Sequence, residues 1–66
     1  ILDCHTNQLT SLDVSQNTTL IDLWCEFNRL TSLDVSRCTA LFYLSCGGNK
    51  FDCDSLIAKF GLNKEH

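Results

Sequence analysis

The sequence predicts a β-rich solenoid, a stack of about two and a half coils with short parallel strands on two sides and a short C-terminal capping helix. Three observations predict it. Residues 9–29 and 30–50 match at 12 of 21 positions, an internal repeat with a period typical of stacked-repeat architectures. Within each repeat, Leu-x-Val and Leu-x-Cys alternate with polar residues, the period-two pattern of a short strand with one buried face. After Lys50 the repeat stops, and residues 52–61 carry helix start and stop signals instead.

In chain order, residues 1–8 read as the tail of a coil. Leu2, Cys4 and Asn7 align with Leu23, Cys25 and Asn28, and then with Leu44, Cys46 and Asn49. The N-terminal edge is therefore expected to present apolar side chains and unpaired strand groups, which fits a piece of a longer stack or an edge that self-associates. The first residue is Ile1 rather than Met, so the chain is expected to be processed or to come from something longer.

Each full coil divides into halves of 11 and 10 residues, and each half is expected to hold one strand, pointing Leu, Val or Cys inward. Parallel stacking would place equivalent residues about 4.8 Å apart in ladders. An Asn near the end of a half can offer a buried amide to backbone groups that lose their partners at the turn. Asn7, Asn28 and Asn49 are expected to form such a ladder, whereas Cys38 replaces the first-half Asn17 and predicts a gap in turn satisfaction. Residues 1–51 thus form the coils and residues 52–66 a helical cap and tail. Phe51 fills the last Leu slot, Asp52 or Asp54 caps the helix, Leu56, Ile57 and Phe60 form its apolar side, and Gly61 suits a left-handed stop. Residues 61–66 read as a frayed tail.

Composition excludes several function classes. The net charge is −3, with eight acids against five bases and no run of like charge, which argues against a nucleic-acid groove or a polybasic membrane patch. No stretch approaches the roughly 18 apolar residues of a membrane span, and the start does not resemble a signal peptide. Membrane insertion is not expected.

Five cysteines in 66 residues raise the question of bridges or metal. Cys4, Cys25 and Cys46 are spaced by 21 residues and occupy one ladder, with no pair at zinc-ligand spacing, so buried free thiols are expected and no metal or cofactor. A bridge between Cys38 and Cys53 stays open. Asp13 and Asp34 stack at equivalent positions, but two acids fall short of a calcium shell, and Ser11, Ser15, Ser32 and Ser36 are expected to hydrogen-bond them instead. His5 follows Cys4, yet strand alternation sends the two to opposite faces. A solvated histidine and a non-enzymatic chain are the expectation.

The two halves differ in what varies. Thr-Ser-Leu-Asp-Val-Ser is identical in both full coils. On the other strand the inward Leu and Cys stay fixed, while outward positions change from Ile1 to Asp22 to Tyr43, from Asp3 to Trp24 to Ser45, and from His5 to Glu26 to Gly47. A fixed interior beneath a variable exterior is the pattern of a recognition face. Asp3, His5, Asp22, Trp24, Glu26, Tyr43 and Ser45 are the candidate ligand-binding residues, with Trp24 and Tyr43 placed diagonally as an aromatic anchor.

The pattern Leu-x-x-Leu-x-Val/Cys-x-x-Asn-x-Leu resembles the leucine-rich repeat family. The fuller unit, Leu-Thr-Ser-Leu-Asp-Val-Ser followed by Leu-x-x-Leu-x-Cys-x-x-Asn, is similar to the double-half repeats found in surface or secreted proteins of Bacteroidetes-type bacteria. The resemblance covers residues 1–51. It implies an exported or cell-surface location and an interaction or adhesion role toward a protein or glycan. The alternative is a structural spacer, or a self-associating coil stack with no ligand of its own.

Overall fold

The computed structural model describes residues 1–64 and contains one four-stranded sheet and one helix. Strands β1 (Leu2–Asp3), β2 (Asp22–Trp24) and β3 (Tyr43–Ser45) come from successive repeats. They pair in parallel with Leu2 opposite Leu23 and Leu23 opposite Leu44, so the sheet register is the repeat period. Helix α1 (Cys53–Phe60) follows, and strand β4 (Asn63–Lys64) closes the order β1-β2-β3-β4 by pairing in parallel with β3.

The inward residues form one core. Val14, Leu23, Cys25, Leu30, Leu44 and Cys46 are fully enclosed, and Leu33, Val35, Cys38 and Leu41 pack with them. Burial fades toward β1: Leu2, Cys4, Leu9 and Leu12 are only half-buried, and Ile1 is 85% exposed. The N-terminal edge is thus open. At the other end Phe51, Cys53, Leu56, Ile57 and Leu62 pack against the core.

Beyond β2 the chain is held by Asn28. Its amide nitrogen donates to the carbonyls of Cys25 (3.0 Å) and of Cys4 in the preceding repeat (3.1 Å), while its Oδ1 accepts from the Leu9 N–H at 3.1 Å. Asn49 repeats the scheme with Cys46, Cys25 and the Leu30 N–H. Asn7 bonds only within its own turn, to the carbonyls of Cys4 and His5. The residue before each Asn has a positive φ: Thr6 at 56°, Phe27 at 59° and Gly48 at 68°. The left-handed turn that lets the Asn amide fold back is therefore shared by the three repeats, whether or not a glycine is present.

Several expectations are corrected. Among the described residues the first half of each repeat forms no strand, so there is one sheet and not strands on two sides. The cause is local competition: the Ser15 N–H donates to Asp13 Oδ1 and the Ser36 N–H to Asp34 Oδ1, both at 2.9 Å, which diverts backbone groups from a ladder. The Cys38 turn has no gap. Its backbone bonds match those at Asn17 (Cys38 N–H to the Val35 carbonyl and Asn17 N–H to the Val14 carbonyl, both 3.0 Å), so the exposed Asn17 amide is not needed. Cys38 is instead buried, its thiol donating to the Val14 carbonyl at 3.5 Å.

The tail is corrected as well, since Asn63 and Lys64 form β4; the rest of the expected frayed tail, residues 65 and 66, lies outside the described residues. Cys46 is not a free thiol but is bridged to Cys53, while Cys4, Cys25 and Cys38 are free. Cysteines stacked in register keep their side chains parallel, which disfavours a bridge along the ladder. The bridge that forms runs out of the ladder to the first residue of α1, with the Cα atoms 5.6 Å apart.

The helix boundaries have chemical causes. Asp52 accepts the Ser55 N–H at 3.2 Å as N-cap, and Gly61, at φ 63°, donates its N–H to the carbonyls of Ala58 and Ile57 as the left-handed C-cap.

Candidate functional site: the outer face of the sheet

Strand alternation sends Leu23 and Cys25 inward and Asp22, Trp24 and Glu26 outward. Register then builds the outer face. Asp3 lies beside Trp24 and Trp24 beside Ser45, Asp22 lies beside Tyr43, and the Thr6 N–H bonds the Glu26 carbonyl at 2.9 Å where the paired chains leave the sheet.

Six of the seven candidate residues reach the surface of this face. Ser45 does not: at 4% exposure it is closed off between Trp24 and the end of the sheet, beside a cavity of about 310 Å³. That cavity lies between β3 and the cap, lined by Cys46, Gly47, Gly48, Asp52, Cys53 and Lys64 among others. It sits where the third repeat has Gly47 and Gly48 in place of Glu26 and Phe27, and the Gly47 Cβ direction is open space.

His5 is not simply solvated, since its Nδ1 meets Asp3 Oδ1 at 2.5 Å. Asp3 Oδ1 also accepts the His5 backbone N–H at 3.3 Å, so a local turn just past β1 brings the two side chains together. Cys4, between them in sequence, points the other way. Burial, and then the nearby Asp3 and Glu26 charges, push its thiol pKa up. For Cys25 burial dominates, with Cys4 and Glu26 adding to it, and its pKa is pushed up to about 12. Both thiols stay protonated near neutral pH and serve as core residues rather than nucleophiles.

Trp24 and Tyr43 occupy diagonal positions, yet the aromatic contact formed is between Tyr43 and Phe42, edge-to-face with centroids 4.7 Å apart. Phe42 and its equivalent Ile21 are more than half exposed at the entry to β3 and β2. Phe27, 63% exposed, stands at the other end, over Gly48. These apolar residues flank the candidate face and were not singled out from sequence. The available signal was an apolar residue at position 21 and again at 42, where a turn into a strand normally takes polar groups.

Three polar atoms on β2 and its extension have no hydrogen-bond partner among the described residues and are shielded from solvent: Asp22 Oδ1, Trp24 Nε1 and Glu26 Oε1. They are the outward residues of the central repeat, in sequence steps of two. Polar groups left in this state cost stability unless something outside the chain engages them.

By contrast, Asp13 and Asp34 on the opposite side are satisfied locally. Hydrogen bonds from Ser15 and Ser36 hold their carboxyls below the usual range, while Ser11 and Ser32 do not take part. No helix among the described residues is long and apolar enough to cross a membrane.

The chain matches no family model, no curated protein and no solved structure.

Proposed function

We propose that this chain is a non-enzymatic interaction module of leucine-rich repeat type, part of an exported or cell-surface solenoid, that binds a protein or glycan through the outer face of β1–β3. One observation carries the reading. The outward residues of β2 and its extension hold unpartnered polar atoms, while the inward Leu23 and Cys25 beside them recur as Leu44 and Cys46 in the next repeat. Trp24 and Tyr43 supply the rigid apolar area that anchors interfaces, with Asp3, His5, Asp22 and Glu26 around them. The test is a binding screen on peptide and glycan arrays, wild type beside the Trp24→Ala/Tyr43→Ala double variant. Hits that vanish in a variant of unchanged circular dichroism support the face. Hits that persist remove it.

A second reading, a self-associating stack, has its own observation. Asn28 and Asn49 each donate one bond to a carbonyl of the preceding repeat, whereas Asn7 makes none of that kind and β1 has a free edge. That reading predicts dimers by sedimentation at rising concentration; a folded monomer throughout counts against it.

A further inference from the structure

We propose that the occupant of the outer face is an extended basic peptide, lying along β2 with Lys or Arg at positions i and i+4 facing Asp22 and Glu26. The proposal rests on the reading of this face as a binding surface and adds the class of partner.

Charge complementarity comes first. The outward positions carry three carboxylates, Asp3, Asp22 and Glu26, and none of the chain's five Lys and Arg residues falls among them. Asp3 is already engaged by His5. Lys64, on the neighbouring β4, donates to Asp54 of the helix at 3.2 Å. Among the described residues, Asp22 and Glu26 therefore stand without a cation. Each is half-buried, with one oxygen shielded from solvent and unpartnered. A partly desolvated carboxylate attracts an ammonium or guanidinium more strongly than a fully hydrated one and forms charge-assisted hydrogen bonds with it.

Spacing comes second. Asp22, Trp24 and Glu26 recur every second residue along an extended segment, so neighbours are roughly 6.7 Å apart and the two acids roughly 13 Å. An extended peptide has the same repeat. Residues i and i+4 on one of its faces meet the two acids, and the stretch between them crosses the indole. The Trp24 N–H has no acceptor among the described residues, and a peptide carbonyl supplies one. The aliphatic stem of Lys or Arg also packs against an aromatic face while its charge reaches the carboxylate. A neutral glycan offers hydroxyl donors but nothing to balance the acids, and a nucleic acid adds like charge.

Trp24 is the only tryptophan in the chain, so its emission reports directly on the site. The probes are a short β-branched peptide with Lys at i and i+4, its Arg counterpart, and a counterpart with norleucine at both positions. The Lys and Arg peptides should change the emission saturably, and affinity should fall at least about tenfold between low salt and about 0.2 M salt. Asp22→Asn/Glu26→Gln should weaken binding by a further tenfold or more. No saturable response up to about 1 mM from either basic peptide overturns the proposal. Equal binding of the norleucine peptide, or full affinity in the isosteric double variant, overturns the cationic partner while leaving the face a binding surface. The array comparison of wild type with Trp24→Ala/Tyr43→Ala tests that broader reading separately.

Discussion

Asn28 is the residue on which the turn beyond β2 depends, because one amide serves two carbonyls and an N–H that lie in different repeats. Asn28→Ala leaves those backbone groups unpaired in a buried turn and should cost roughly 2–4 kcal/mol. Asn7→Ala removes bonds only within an exposed turn and should cost less than about 1 kcal/mol. Urea unfolding of the two variants checks the difference. The residue ahead of each Asn gives an opposite expectation. Thr6 is β-branched yet sits at φ 56°, so Thr6→Gly should stabilise by about 1 kcal/mol. Gly48→Ala should destabilise, because a Cβ there lies 2.5 Å from the Phe27 ring. Thermal melts of the pair read out both signs. The Asn positions were legible from their spacing, but the positive φ before them was not. Thr, Phe and Gly share no side-chain property that marks a left-handed residue.

At the scale of elements, the cap is tied to the last repeat by a short covalent loop from Cys46 to Cys53. Chain-entropy arithmetic for a loop of this size gives about 2.5 kcal/mol, so Cys53→Ser should lose about that much and loosen Leu56 and Ile57 from the core. Thiol titration of the denatured, unreduced protein should find three thiols, rising to five on reduction. The helix was legible in Asp52, the spacing of Leu56 and Ile57, and Gly61, because caps and apolar spacing are local signals. The bridge was not legible: spacing left Cys38 open as the partner of Cys53, whereas the fold brings Cys46 of the last repeat to the helix. Nor was β4: Asn63 and Lys64 are poor strand formers, and their conformation comes from the open edge of β3. The missing second strand failed for the reverse reason. Leu12 and Val14 have strand periodicity, but Asp13 and Ser15 bond to each other and divert the backbone.

For the whole molecule, the pH dependence of stability follows from groups spread over the chain. Asp13, Asp34 and Asp52 have carboxyls held below the ordinary value of 3.8 by serine hydrogen bonds. Their folded state binds protons less readily than the unfolded chain, so their contribution is present above about pH 4 and is lost as pH falls through the lowered values. Cys25 works in the other direction. Its thiol keeps its proton in the fold up to about pH 12 but loses it near 9.0 when unfolded, so stability falls across that interval. Urea midpoints across pH should therefore form a plateau that falls away at both ends, and in Cys25→Ala the alkaline fall should be shallower. The molecule as a whole separates an inward set of residues that forms the core from an outward set on β2 whose polar atoms the fold leaves unsatisfied. Periodicity made the inward set legible, and variation between repeats marked the outward one. The unpartnered atoms and the closure of Ser45 needed coordinates. The most direct test is the unfolding free energy of Asp22→Asn/Glu26→Gln against wild type. If these side chains are held for a partner, the variant should be as stable as wild type, or more stable by up to about 1 kcal/mol, since removing acids from the face relieves repulsion. A loss of more than about 1 kcal/mol would show that the carboxylates hold the sheet together, and would contradict the assignment of this face to recognition.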